Sequence, residues 1–157
     1  MKKNNLFLTS VLLIFFYSCG FKIADQSAFK NYEIKEIQFS GDKQINFKLK
    51  NKILSNIKKG KEKLITLELN TKKAKSVKEK NIKNEITKYE LVITIETKYF
   101  ILDTNKKNTF YNTVKGNYNV ATTYADTLKN EKNLINLLTE KVSSEITRKL
   151  ATELNDI

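Results

Sequence analysis

The chain has 157 residues, 29 of them Lys or Arg against 17 Asp or Glu, for a formal net charge of +12. It contains no His, no Trp, no Pro and a single Cys, which removes histidine-based acid-base chemistry, histidine metal ligation and any internal disulfide from consideration. Only Arg148 is an arginine; the Lys, Asn and Ile excess follows the codons of an AT-rich genome, so part of the charge is a solvated lysine surface.

The first element is an apolar run, Leu6 to Tyr17, behind Met1, Lys2 and Lys3 and ahead of Ser18, Cys19 and Gly20. As a helix it reaches about 18 Å, short of the roughly 30 Å hydrocarbon core of a bilayer, and the basic-apolar-small layout predicts a cleaved export signal over residues 1–18. The alternative, a buried N-terminal strand, is disfavoured because the run shows no alternation, contains the helix-compatible "LLIFF" and gives way sharply to polar, lysine-rich sequence. A lone cysteine in an exported chain is a free thiol, an intermolecular link or a site of modification, and its place right after the apolar run favours modification. Export also sets nucleic acid aside as a partner and leaves anionic lipid headgroups as the target for the surviving positive charge.

Residues 19–31 read as a tether with no period of their own. "YEIKEIQF", residues 32–39, is a strand whose phase slips: Tyr32 and Ile34 fall on one face, Ile37 and Phe39 on the other, which calls for a bulge or two-sided burial near Lys35 and Glu36. "SGD" follows as a turn with an N-cap. Ile45, Leu49, Ile53 and Ile57 then recur every four residues, with Phe47 and Leu54 beside them, as a helix ending at Lys58, Lys59 and Gly60. Residues 63–71 alternate Ile65, Leu67 and Leu69 inward as a second strand. Residues 72–88 are the most basic stretch, and Val77, Ile82 and Ile86 are too sparse to define a face; the expectation is a mobile loop or weak helix.

"YELVITIETKYFILD" is the clearest strand, with Leu91, Ile93, Ile95, Tyr99 and Ile101 on one side. Thr104–Asn108 turns the chain, and the return strand groups Phe110, Val114, Tyr118 and Val120, with Gly116 marking a bulge or a close approach. Tyr124, Leu128, Ile135, Leu138, Val142, Ile146, Leu150 and Leu154 then stripe a long C-terminal helix. The order β-α-β-β-β-α predicts an α+β two-layer sandwich over residues 32–157: a four-stranded, mainly antiparallel sheet with two helices on one face, the strand order left open.

Phe16, Tyr17, Ser18 and Cys19 resemble a bacterial lipobox, in which the cysteine is lipidated and becomes the first residue of the mature chain. Together with "CGF", the strand pair running from Glu85 to Val120, "TTYADTLKNEKN" and the terminal "SSEITRKLATEL", the chain resembles the lipopolysaccharide-assembly lipoprotein family LptE in its alphaproteobacterial form. The residues that carry the likeness are Cys19, Gly20, Phe21, Tyr89, Leu102, Asp103, Gly116, Tyr124 and Ala125. The resemblance implies N-palmitoyl and S-diacylglycerol groups on Cys19, a place on the periplasmic side of the outer membrane, and an LptD-type β-barrel as partner, which the protein plugs and helps to assemble. It also implies contact with lipopolysaccharide in transit. Composition makes Lys72, Lys73, Lys75, Lys78 and Lys80 the candidate contacts, with Lys106 and Lys107 at a hairpin tip second; for each, an ordinary solvated lysine is the competing reading. No Gly-rich phosphate loop appears, and the near pairs Glu33 with Glu36 and Glu62 with Glu68 read as solvated faces or ion-pair partners, so neither a cofactor nor a metal nor catalysis is expected. The rival function is a free-standing envelope lipoprotein that binds lipid or serves a transporter as an auxiliary subunit.

Overall fold

A computed structural model describes residues 31–55 and 63–155 of the chain. The export signal, Cys19, most of the tether and the expected helix end at Ile57 to Gly60 lie outside the described residues. Within them the order is β1 (Tyr32–Gly41), α1 (Lys43–Ser55), β2 (Lys63–Lys80), β3 (Ile86–Ile101), β4 (Lys106–Asn119) and α2 (Tyr124–Asn155). The expected β-α-β-β-β-α sequence is therefore the one adopted. The four strands form one sheet in the order β1-β2-β3-β4, with β1 parallel to β2 and the other two pairings antiparallel.

The phase slip in β1 resolves as a bulge. Ile34 pairs with Ile65, but Glu36 pairs with Thr66 and Ile37 with Leu67, so Lys35 is the extra residue. Inserting one residue flips the side-chain alternation. Tyr32 and Ile34 before the bulge thereby share a face with Ile37 and Phe39 after it, and all four join the core. The strand stops at Gly41, whose φ of +90° no side chain tolerates well and whose absent Cβ would sit 1.9 Å from the Thr71 carbonyl oxygen. Asp42 then caps α1, its Oδ1 accepting from the N–H groups of Gln44 and Ile45 at 3.0 Å each.

The core lies between the sheet and the helix layer. Ile65, Leu67, Leu69, Leu91, Ile93, Ile95, Tyr99 and Ile101 meet Ile45, Leu49 and Ile53 of α1 and Ile135, Leu138, Val142, Ile146, Leu150 and Leu154 of α2. Each fully buried aliphatic side chain stabilises the fold by roughly 1.5–3 kcal/mol before entropy is charged against it. Thr123 caps α2: its hydroxyl accepts from the N–H of Asp126 and donates to the Asp126 carboxylate. Tyr124 and Leu128, expected on the core stripe, are 78% and 46% exposed, and Thr127 takes the buried position in those turns. Val120 also falls outside the expected group, lying one residue past β4 and exposed. Gly116 marks a close approach and not a bulge: the β3–β4 register is unbroken, and a Cβ there would stand 2.8 Å from Leu134 Cδ1.

The loop or weak helix expected over residues 72–88 is a correction. β2 continues to Lys80, turns over Asn81–Glu85 and returns as the start of β3. Every residue from Lys72 to Lys80 is exposed, so no buried face existed to impose an apolar alternation; pairing with β3 alone keeps the segment extended.

Candidate functional site

Beyond Thr71, the last residue that β1 covers, β2 and the first part of β3 form a lysine-rich arm. Its tip is a built turn. Asn81 Oδ1 accepts from the N–H groups of Lys83 and Glu85, Asn81 Nδ2 donates to Glu85 Oε2 at 2.7 Å, and Asn84 takes a φ of +64°. This turn presents Ile82 to solvent with 103% of its reference exposure. Sequence reasoning named neither Ile82 nor Lys83 as part of a site. The spacing Asn81-x-x-Asn84 was the available signal, but it reads as a turn only once the flanking segments are known to be strands.

The five arm lysines do different jobs. Lys72 projects from the open face of the sheet, paired in register with Thr94. Lys73 Nζ lies 3.0 Å from Asp42 Oδ2, which ties the root of the arm to the capped end of α1. Burial opposes ionisation of Asp42, but the Ile45 N–H and the Lys73 ammonium outweigh it and hold its carboxyl below the usual range. Lys75 Nζ is 2.6 Å from Glu131 Oε2 on α2 and sits over the rings of Tyr89 and Tyr118, 4.4 and 5.4 Å from their centroids. Tyr118 donates its hydroxyl to the same Glu131 oxygen at 2.7 Å, and the two rings stack at 5.6 Å. Partial burial works against the Lys75 charge, yet Glu131 and Tyr118 together raise its pKa well above the ordinary lysine value; the same contacts outweigh burial at Glu131 and lower its pKa. Lys78 lies 3.6 Å from Glu90, and Lys80 donates to Asn84 Oδ1 at 2.9 Å.

Lys73 and Lys75 are thus clamps at the arm's root, while Lys72, Lys78 and Lys80, with Lys83, carry its outward charge. Lys106 and Lys107 are not part of this group. They pair in register with Ile101 and Phe100 at the other end of the sheet, the end where β1 begins. From Lys80 back to Ile65, the register partner of Ile101, is about 50 Å at roughly 3.3 Å per residue. One compact ligand at the arm's tip cannot also touch Lys106 and Lys107. Cys19 lies outside the described residues; the chain enters the sheet at Tyr32, at the end where Lys106 lies and opposite the arm's tip.

Among the described residues no three of His, Cys, Asp and Glu are grouped to hold a metal, and no helix is long and apolar enough to cross a membrane. The arrangement is suited to meeting anionic groups by exposed ammonium groups on a rigid arm.

No family model and no curated protein matches the sequence. Solved structures do match. The crystal structure of rare lipoprotein B from Shewanella oneidensis aligns with a TM-score of 0.60 at 16% identity, covering 76% of this chain and 97% of that one. A candidate lipoprotein from Caulobacter crescentus aligns with a TM-score of 0.57 at 11% identity, covering 83% and 95%. The chain shares their fold. At these identities the likeness extends to the architecture of sheet and helices, and it takes in nearly the whole of both neighbours.

Proposed function

We propose that this protein is an outer-membrane lipoprotein of the LptE type: anchored through acyl groups on Cys19, it plugs and supports assembly of an LptD-type barrel and helps deliver lipopolysaccharide to the cell surface. The observation that carries the reading is the sandwich it shares with rare lipoprotein B along almost that protein's entire length, in a chain whose sequence places a lipobox-like cysteine ahead of the fold. The geometry agrees with it. A single acyl chain holds a protein marginally at a bilayer, and each further buried CH₂ adds about 0.8 kcal/mol, so a triacylated Cys19 is a durable tether. The arm carries exposed ammonium groups of the kind that meet lipid A phosphates. Each exposed lysine near an anionic lipid contributes about 1 kcal/mol, less as salt rises.

Purification through a C-terminal tag in mild detergent tests the reading. The expected result is a stoichiometric complex with a large outer-membrane barrel. Recovery of the monomer alone, or of inner-membrane transporter subunits, favours instead a free-standing lipid-binding or transporter-auxiliary lipoprotein. For the anchor, Cys19→Ala is expected to abolish labelling by palmitate analogues; unchanged labelling rules out acylation at this residue.

A further inference from the structure

The lysine surplus is not spread evenly over the two helices. α2 carries five basic and five acidic residues, whereas α1 carries Lys43, Lys48, Lys50 and Lys52 and no acid. A surplus written by codon usage alone would mark both helices. The α1 charge is also not neutralised locally. Among the described residues the ion pairs use lysines of the sheet, Lys73, Lys75, Lys78, Lys88 and Lys98, and none of the four on α1. Asp42, the carboxylate that caps α1, is already engaged by two backbone N–H groups and by Lys73.

α1 exposes apolar side chains among these charges. Ile45, Leu49 and Ile53 are buried in the core, which turns the opposite side of the helix outward. Phe47 and Leu54 stand on that side, 67% and 46% exposed. Seven residues at about 100° each bring them within roughly 20° of one another round the axis, two turns apart. Lys50 falls between them, and Lys43 lies one turn before Phe47. An aromatic ring and a leucine among unpaired ammonium groups have the chemistry of an interfacial lipid contact. The apolar groups enter the boundary between headgroups and acyl chains, while the lysine stems lie along them and keep their charges in the phosphate layer.

We propose that the outward face of α1 docks on the surface of an anionic phospholipid bilayer, with Phe47 and Leu54 seated between headgroups and Lys43, Lys48, Lys50 and Lys52 on their phosphates. Charge complementarity selects this occupant. Four ammonium groups without a carboxylate partner repel another basic surface, so a second copy of this chain, at a net +12, gains nothing by covering them. The chain's own tether offers no counter-charge either: residues 20–31 hold Lys22 and Lys30 against Asp25. An anionic bilayer supplies phosphates for the lysines and an apolar boundary for the other two side chains. The contact involves neither the arm nor a barrel, so it stands or fails separately from the proposed function.

The test exploits the absence of tryptophan from the chain. Phe47→Trp places a single reporter in the full chain, which is purified in detergent and reconstituted into vesicles of phosphatidylglycerol and brominated phosphatidylcholine. Leu54→Trp is a second reporter. Tyr111→Trp is the control, at a residue 63% exposed that hydrogen-bonds to Glu96 on the sheet face away from the helices. The expected result is about two-fold quenching by bromine at Phe47→Trp and Leu54→Trp and none at Tyr111→Trp. That quenching is lost when phosphatidylcholine replaces phosphatidylglycerol, or when the four α1 lysines are changed to Gln. No quenching at either α1 position, equal quenching at Tyr111→Trp, or quenching indifferent to phosphatidylglycerol or to the four lysines would overturn the proposal. So would a blue-shifted emission without quenching, since a protein surface and not lipid would then cover the face.

Discussion

Lys75 shows how a residue that composition offers as a ligand contact becomes a structural pin. Its ammonium is held by Glu131 and two tyrosine rings, with side chains 39% and 19% exposed for the ion pair, so the contact is worth more than an open surface pair and less than a buried one. Lys75→Ala is expected to destabilise the fold by about 1 kcal/mol in urea titration, and Glu131→Gln in the same background to add little, the signature of a shared interaction. The pH dependence has a definite sign. Glu131 and Asp42 have lowered folded pKa values, so their stabilisation is complete above the ordinary carboxylate range and disappears as pH falls through their lower folded values. Lys75, with a raised value, contributes fully below the ordinary lysine pKa and loses that contribution only in stronger alkali. Asp42 separates capping from charge. Asp42→Ala should cost about 1 kcal/mol, whereas Asp42→Asn keeps the cap and removes the acid-range slope; equal losses for the two would place the effect in the Lys73 pair.

At the scale of elements, two glycines separate what space and backbone conformation each demand. Gly41 has positive φ and backbone oxygen where a Cβ would go, so Gly41→Ala is expected to cost about 3 kcal/mol, since neither the chain reversal nor Thr71 can yield. At Gly116 the obstruction is the end of the Leu134 side chain, which can rotate; about 1 kcal/mol is expected there, read from the same thermal or urea unfolding curves. The strands themselves were legible in the sequence where one face is covered. β3 shows it best, since Leu91, Ile93, Ile95, Tyr99 and Ile101, the positions read as inward, are all buried. The arm from Lys72 was illegible for the converse reason: a strand exposed on both faces carries no apolar alternation, and its extended form depends on β3 beside it. The β1 bulge was legible only as a conflict between two phases.

For the molecule as a whole, the consequence is polarity. Tyr32, Lys63 and Lys106 lie at one end of the sheet, and the tip of the lysine arm occupies the other. If lipopolysaccharide meets the arm, charge reversal of Lys78 and Lys80 to Glu should weaken its retention in a co-sedimentation assay several-fold, while the same change at Lys106 and Lys107 should leave it unaffected. Equal loss from both pairs would show a diffuse effect of net charge and remove the arm's special role.

By itself the sequence determined the identity and order of the elements, the inward residues of β3 and most of those of α2, the cap at Asp42 and the place of the single cysteine, because each is written in local spacing and in residue chemistry. Only the tertiary structure decided that β1 lies beside β2 and parallel to it, that Lys73 and Lys75 are clamps, and that Lys80 at the arm's tip stands about 50 Å along the strand from the level of Lys106 at roughly 3.3 Å per residue. Those facts depend on contacts between residues far apart in the chain, and a local pattern does not record which partner a residue will meet.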